Sequence, residues 1–286
     1  MANLKEIRNR IASVKSTMQI TSAMKMVSAA KLKKAQDAIT AMRPYANKLT
    51  ALLQNLSSSL DGDVDAKYSA KREVNKVLVV SITSNRGLCG AFNTNIIKES
   101  ASLHNHKYSG KKVDYLTIGK KGNDILGKKF NVISNQSGVF DNLTFDSVAA
   151  IAEDLMVKFT EGEYDKIELV YNQFKNAATQ IVITEQFLPI VSLKSDGDAS
   201  TDYIFEPSKE KIIEELIPKS LKTQLYKAIR DSFASEHGAR MTAMHKATDN
   251  AGELKDQLTL TYNKARQAAI TSEILEIVGG AEALNE

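Results

Sequence analysis

Apolar positions near the amino terminus fall at Leu4, Ile7, Ile11, Val14 and Met18, separated by three and four residues in turn. That spacing is the seam of a two-stranded supercoil, narrower than the stripe a helix turns toward a globular core. It predicts a helix from Asn3, a fair N-cap, to about Leu56. Pro44 should bend it, because the ring removes a backbone hydrogen bond and crowds the preceding turn. At the other end, Lys219 to Glu286 is free of proline, and Leu254, Thr261, Ala268 and Leu275 recur at every seventh position. Helices average roughly 11 to 12 residues, and a periodic run beyond about 25 points to a coiled coil, a membrane span or a repeat. The charges along this run exclude the span. Because the chain leaves along one helix and returns along the other, the two are expected to pair antiparallel.

Between the helices the period changes. Val77-Leu78-Val79-Val80-Ser81-Ile82 is a short continuous apolar run rich in β-branched residues, as expected of a strand covered on both faces. Further strands are predicted at Val113 to Ile118, near Val132-Ile133, at Lys166 to Tyr171 and at Gln180 to Phe187, with helical stretches between the earlier ones and a helix over Phe145 to Phe159. Strands alternating with helices imply a mostly parallel sheet of about five strands in a Rossmann-like α/β domain. The expected organisation is a first coiled-coil helix over 1–57, a Ser- and Asp-Gly-rich linker over 58–75, the α/β domain over 76–193, a loop over 194–208 and a second coiled-coil helix over 209–286.

Composition narrows the classes. No apolar stretch approaches the roughly 20 residues that a membrane-spanning helix needs. The single cysteine, Cys89, forbids an internal disulfide, fits a reducing compartment and reads as a small buried side chain. The net charge of +4 conceals a split. Residues 1–50 carry ten Lys and Arg against Glu6 and Asp37, whereas residues 208–286 carry eleven basic and twelve acidic residues. The basic helix reads as a solvated face, as a transit-type segment, or as a surface for an acidic protein, nucleic acid or anionic lipid. The transit reading is weakened by a seam that begins at Leu4, which a removable segment does not need.

Candidate chemistry is sparse. Thr83 to Asn93 joins the first strand to a helix, where α/β sheets often hold phosphates. Its Gly87 and Gly90 match neither GxGxxG nor a Walker loop, so it reads as a structural turn. Ile118-Gly119-Lys120-Lys121-Gly122-Asn123-Asp124 is a second such turn, with Asn123 or Asp124 as possible helix caps. His237 and His245 are too far apart along a helix to share a metal, and His104 and His106 have no carboxylate or thiol cluster nearby. Neither a metal nor a cofactor is expected, nor a catalytic residue. Ala239, Ala243, Ala247 and Ala251 form a stripe of small residues that admits a close helix, with Met241 and Met244 beside it. Tyr262 to Thr271 mixes polar and small residues, as suits a tip that grips and releases a partner.

Taken together, Ile7-Arg8-Asn9-Arg10-Ile11-Ala12-Ser13-Val14, Ala23-Met24-Lys25-Met26-Val27, Arg86-Gly87-Leu88-Cys89-Gly90, Ser235 to Ala251, Tyr262 to Thr271 and Glu276-Ile277-Val278-Gly279-Gly280-Ala281 resemble the gamma subunits of rotary ATP synthases over essentially the whole chain. The resemblance implies a noncatalytic central shaft, without cofactor, that couples ion-driven rotation of a membrane ring to conformational changes at catalytic beta subunits. The implied partners are the alpha and beta subunits of the catalytic hexamer, the epsilon subunit and the ring of c subunits. Nucleic acid is not among them, and membrane contact is indirect. It further implies a peripheral place on the cytoplasmic face of the bacterial plasma membrane. Arg266, Gln267 and Thr271 match positions that contact a beta-subunit loop, and Met24 and Lys25 match a neighbouring coupling region. Tyr203, Phe205 and Glu206 match the foot that meets the c ring and epsilon. Chloroplast members carry an inserted cysteine pair for thiol regulation, which a chain with only Cys89 cannot form. The alternative from another class is a nucleic-acid-binding protein that uses a basic coiled coil as an arm.

Overall fold

The computed structural model describes residues 4–57, 66–69, 72–190 and 209–283. Asn3, the expected N-cap, and Tyr203, Phe205 and Glu206 lie outside the described residues. Two long helices, α1 (Leu4–Ser57) and α6 (Lys209–Ala283), flank a five-stranded sheet. Pro44 lies inside α1 and Pro218 inside α6, and both helices are assigned without a break. The second helix therefore starts ten residues before the proline-free run. Ile217 and Leu221 on either side of Pro218 are buried in the core, which holds the helix where the proline withdraws a backbone bond.

The chain forms two compact units, residues 1–28 with 241–286, and residues 29–240. In the second unit the strands are β1 (Lys76–Ile82), β2 (Lys112–Ile118), β3 (Val132–Asn135), β4 (Lys166–Phe174) and β5 (Gln180–Leu188). Their order is β3-β2-β1-β4-β5. The first four run parallel, and β5 returns antiparallel beside β4. Parallel neighbours require crossover helices. These are α3 (Phe92–Ser102), α4 (Lys120–Leu126) and α5 (Phe145–Thr160); a short helix, α2 (Ala66–Ser69), precedes the sheet. The β4–β5 connection is instead a tight turn, in which the Asn176 side chain accepts from the backbone N–H groups of Ala178 and Thr179 at 3.0 and 2.7 Å.

The apolar run of β1 is fully buried because its side chains feed two cores. Leu78, Val80 and Ile82 join α5 and the buried face of α6 (Leu221, Leu225, Ala228, Ile229) on one side of the sheet. Val77 and Val79 join Ile96 of α3, Tyr115 and Leu126 on the other. Thr144 starts α5 with a reciprocal cap to Ser147. Helix α4 starts differently from the expectation: its N-cap is Gly119 at φ 115°, and Asn123 and Asp124 lie inside the helix. The reason is a close approach, since a Cβ at Gly119 would stand 2.2 Å from the Thr83 carbonyl oxygen. The backbone must reach that conformation before any side chain can cap, and only glycine does so without strain.

Candidate partner-binding site

In the first unit, Leu4, Ile7, Ile11, Val14 and Met18 are the buried or half-buried positions of α1 over that stretch, and the alternation continues through Thr21, Lys25 and Ser28. Helix α6 answers with Met244, Thr248, Ala251, Lys255, Leu258, Tyr262, Ala265 and Ala269. The pairing is antiparallel. Arg8 Nη2 donates to Tyr262 Oη at 2.7 Å, and thirteen residues further along α1 the Thr21 hydroxyl meets the Thr248 hydroxyl at 2.8 Å, fourteen residues back along α6. One hydroxyl donates to the other, which in turn donates to its own helix, Thr21 to Met18 O or Thr248 to Met244 O. A matched polar pair inside an apolar seam fixes register, because any slip would bury a hydroxyl against a methyl group.

The seven-residue recurrence at Leu254, Thr261, Ala268 and Leu275 is not the seam. All four are exposed, Leu254 at 45% and Leu275 at 66%. The contacts lie one residue on, at Lys255, Tyr262 and Ala269. Besides Met244, Thr248 and Leu258, the stripe is built from alanines, a tyrosine and the aliphatic stem of a lysine, while Leu254, Leu260, Ile270 and Leu275 are exposed. Of the alanine stripe, Ala251 is buried, and Ala243 and Ala247 are half-buried.

The coil places the residues expected to bind partners at two levels. Arg266, Gln267 and Thr271 are exposed, and the antiparallel register sets Arg266 about level with Leu4. Arg266 and Gln267 have no side-chain partner among the described residues, whereas the Thr271 hydroxyl donates to Gln267 O at 2.9 Å. Thr271 to Ala281 is exposed throughout and includes Ile274, Leu275, Ile277 and Val278. Met24 and Lys25 are half-buried and lie about level with His245. The two groups are therefore separated by some twenty residues of helix, roughly 30 Å. They stand at two separate levels along one coil, not in one cluster.

In the second unit the β1–α3 turn closes on itself. Asn93 Oδ1 accepts from Ser84 N at 2.9 Å, and the Asn85 side chain donates to Ser137 O and accepts from Lys120 N at 3.0 and 3.1 Å. Leu88 and Gly90 take left-handed φ of 63° and 59°. Cys89 is 1% exposed and packs with Phe92 and Ala239 of α6. Burial pushes its thiol pKa up, keeping it protonated. These contacts make the turn a structural dock for α6.

Sequence reasoning missed the clamp that completes this dock. Arg240 donates to the carbonyls of Arg86 and Gly87 at 3.1 and 3.3 Å and holds Glu236 at 2.6 Å. Glu236 and Arg240 are 8% and 7% exposed. Burial raises the Glu236 pKa against the pull of Arg240, Lys31 and Arg86. Beside it, His237 is 5% exposed, and neither ring nitrogen has a partner among the described residues. Its ring meets Phe233 edge-on at 4.5 Å. Burial, with the charges of Arg240 and Lys31, lowers its pKa to about 3. The four-residue spacing of Glu236 and Arg240 was a visible signal for an ion pair, but nothing in the sequence shows that this pair faces inward.

Among the described residues no group of three or more His, Cys, Asp or Glu could hold a metal, and no helix is long and apolar enough to cross a membrane.

A sequence profile of the family described as ATP synthase matches residues 3–284. The chain is 76% identical over 285 residues to the ATP synthase gamma chain of Flavobacterium psychrophilum, covering 99% of both. It is 74% identical over 286 residues to that of Flavobacterium johnsoniae, covering 100% of both. Among solved structures it resembles a chain of the Tetrahymena thermophila mitochondrial ATP synthase central stalk and c-ring, at TM-score 0.61 and 29% identity over 80% of this chain and 99% of that one. A chain from the Euglena gracilis mitochondrial ATP synthase aligns with TM-score 0.71 at 23% identity, over 98% of this chain and 94% of the other, a likeness of fold. The nucleic-acid alternative finds no support among these relatives.

Proposed function

The chain belongs to the ATP synthase gamma-chain family, and we propose that it works there as the noncatalytic central rotor shaft, coupling ion-driven rotation of the c ring to conformational changes at the catalytic beta subunits. The observation that carries this reading is the antiparallel coil with unlike strands. Helix α1 is strongly basic over its first fifty residues, whereas α6 is near neutral and projects an exposed tip from Thr271 to Ala281. A shaft presents different faces to the sites around it only if its two strands differ.

Arg266, Gln267 and Thr271 contact a beta-subunit loop, and Met24 and Lys25 form the second contact about 30 Å along the coil. Alpha and beta subunits surround the coil. The foot at Tyr203, Phe205 and Glu206, with the α/β unit, meets epsilon and the c ring on the cytoplasmic face of the plasma membrane, and the ring carries the attachment to the bilayer. The energetics are adequate. A partner shifts an equilibrium only by its differential affinity for the two states, and moving one site from 1:99 to 99:1 takes about 5.5 kcal/mol. Hydrogen bonds to charged groups contribute about 1.5 to 3 kcal/mol each, so two or three contacts from residues such as Arg266 and Gln267 suffice.

The test is reconstitution with alpha and beta subunits of a close relative. The chain alone should hydrolyse no ATP, and its addition should restore coupled turnover. Arg266→Ala with Gln267→Ala should lower that turnover while leaving the thermal unfolding of the α/β unit unchanged. Unchanged turnover would remove the proposed role of these two residues, and failure to assemble would remove the rotor reading.

A further inference from the structure

Gly-Lys-Lys occurs twice at the end of the sheet where the parallel strands begin. Gly110-Lys111-Lys112 leads into β2, and Gly127-Lys128-Lys129 comes just before β3. The register sets them level. Lys112 is opposite Lys76 of β1 and Tyr115 is opposite Val132 of β3, which puts Lys129 about opposite Lys112. Lys166 opens β4 beside Val77. Lys107 comes to the same edge on a π-helical turn, Leu103–Lys107.

Two acids at this edge face inward, Asp165 before β4 is half-buried and accepts from the backbone N–H groups of Asn75 and Lys76 at 2.9 and 2.8 Å, and Glu163 is exposed beside Lys158 at 3.8 Å. Glu168, 1% exposed, accepts from Lys107 Nζ at 2.7 Å and stands 3.3 Å from Lys166 Nζ. Asp114, 5% exposed, is held by Asn131 and Tyr164 at 2.8 and 3.1 Å. Lys76, Lys111, Lys112, Lys128 and Lys129 are exposed. From Ala101 to Phe140 the acids are this buried Asp114 and Asp124, which pairs with Lys121 at 3.4 Å. Two adjacent loops therefore carry a corner of positive charge in which Lys112 stands 3.9 Å from Asp114, and Lys111, Lys128 and Lys129 have no ion pair among the described residues.

The position of the corner gives it a partner. The start of α6 comes to this same end: Gln224 donates to Gln186 O near the end of β5 at 3.2 Å, and Ser235, further along α6, donates to Asn172 O further along β4 at 3.0 Å. The opposite end meets Ala239. Strand β5 also ends here, at Leu188, and the chain leads on to Tyr203, Phe205 and Glu206. We propose that the Lys111, Lys112, Lys128 and Lys129 corner rests on the anionic phospholipid headgroups beside the ring, a direct contact additional to the one made through the ring. This rests on the foot reading given above. Long, exposed basic side chains suit a surface of spread negative charge, and basic residues near an anionic leaflet add attraction in proportion to their number.

The experiment is vesicle flotation of the full chain at about 0.1 M salt, with phosphatidylcholine alone or with about one third phosphatidylglycerol. Lys111→Ala, Lys112→Ala, Lys128→Ala and Lys129→Ala combined should lower the partition coefficient on anionic vesicles by about fivefold per lysine, several hundredfold in all. A control that removes the same charge from α1, Arg10→Ala, Lys15→Ala, Lys33→Ala and Lys34→Ala combined, should lose much less. Equal loss in both variants, equal binding to both vesicle types, or tighter retention of a short RNA than of anionic vesicles would overturn the proposal. Assembly of the corner variant with alpha and beta subunits is read in parallel. Lost lipid binding by the unmodified chain with intact assembly would remove the corner alone, whereas failed assembly of the unmodified chain would remove the rotor reading.

Discussion

Replacing His237 by leucine tests whether a buried neutral imidazole on α6 makes the fold sensitive to acid. The ring is 5% exposed, its nitrogens lack partners among the described residues, and Arg240 and Lys31 oppose a positive charge on it while Glu236 is held by Arg240. Its pKa is lowered from 6.5 to about 3. The unfolded chain therefore binds a proton that the folded chain refuses between those values. The stability this neutrality provides is complete above the unfolded pKa of 6.5 and is lost as pH falls toward about 3. Between about pH 7.5 and about pH 5 the loss from this one group is about 2 kcal/mol. Leucine removes the titration and two unsatisfied nitrogens, each of which costs about 1 to 3 kcal/mol when buried unpaired, so His237→Leu should be neutral or stabilising near pH 7.5. Urea denaturation of both proteins, followed by far-ultraviolet circular dichroism across this range, gives the difference directly. It should widen by about 2 kcal/mol in favour of the variant as pH falls. A difference that does not change with pH would refute the reasoning.

Three further outcomes follow from the same packing. Gly119→Ala should destabilise strongly, because its Cβ would lie 2.2 Å from backbone oxygen at Thr83 and φ is 115°; a melting temperature within a degree or so of the parent would contradict the close approach. Arg240→Ala should cost about 3 to 5 kcal/mol by stranding Glu236 and releasing the Arg86 and Gly87 carbonyls, while Glu236→Leu with Arg240→Met should recover most of that loss in chemical denaturation. For Glu168, burial alone would raise the pKa, but hydrogen bonds from Lys107 and Tyr108 and the charges of Lys107 and Lys166 outweigh it and lower the value below 4.5. Its contribution is full above that point and is lost as pH falls through the folded value, so Glu168→Gln should flatten the acid limb of a stability–pH curve.

The strands and the amino-terminal seam were legible because their signals are local. A β-branched run such as Val77 to Ile82 has one reading once both faces are covered, and Leu4 to Met18 repeats at an unambiguous spacing. The phase of α6 was not legible. Leucines normally mark a seam, but here Leu254, Leu260 and Leu275 are exposed, and of the leucines in this stretch Leu258 alone joins Ala251, Lys255, Tyr262, Ala265 and Ala269 in the contact. Nor was the role of Gly119, which depends on Thr83 just past the end of β1, or the inward face of Glu236 and Arg240, which depends on where α6 meets the β1–α3 turn. Long-range packing decided each of these.

The central claim is that this chain turns as a shaft while catalysis occurs elsewhere. Ser109, exposed on the α/β unit, can be replaced by cysteine to carry a bead or dye, since Cys89 is buried. In a complex with alpha and beta subunits fixed to a surface, ATP should drive continuous one-way rotation of that probe. Hydrolysis at full rate with a stationary probe would contradict the account.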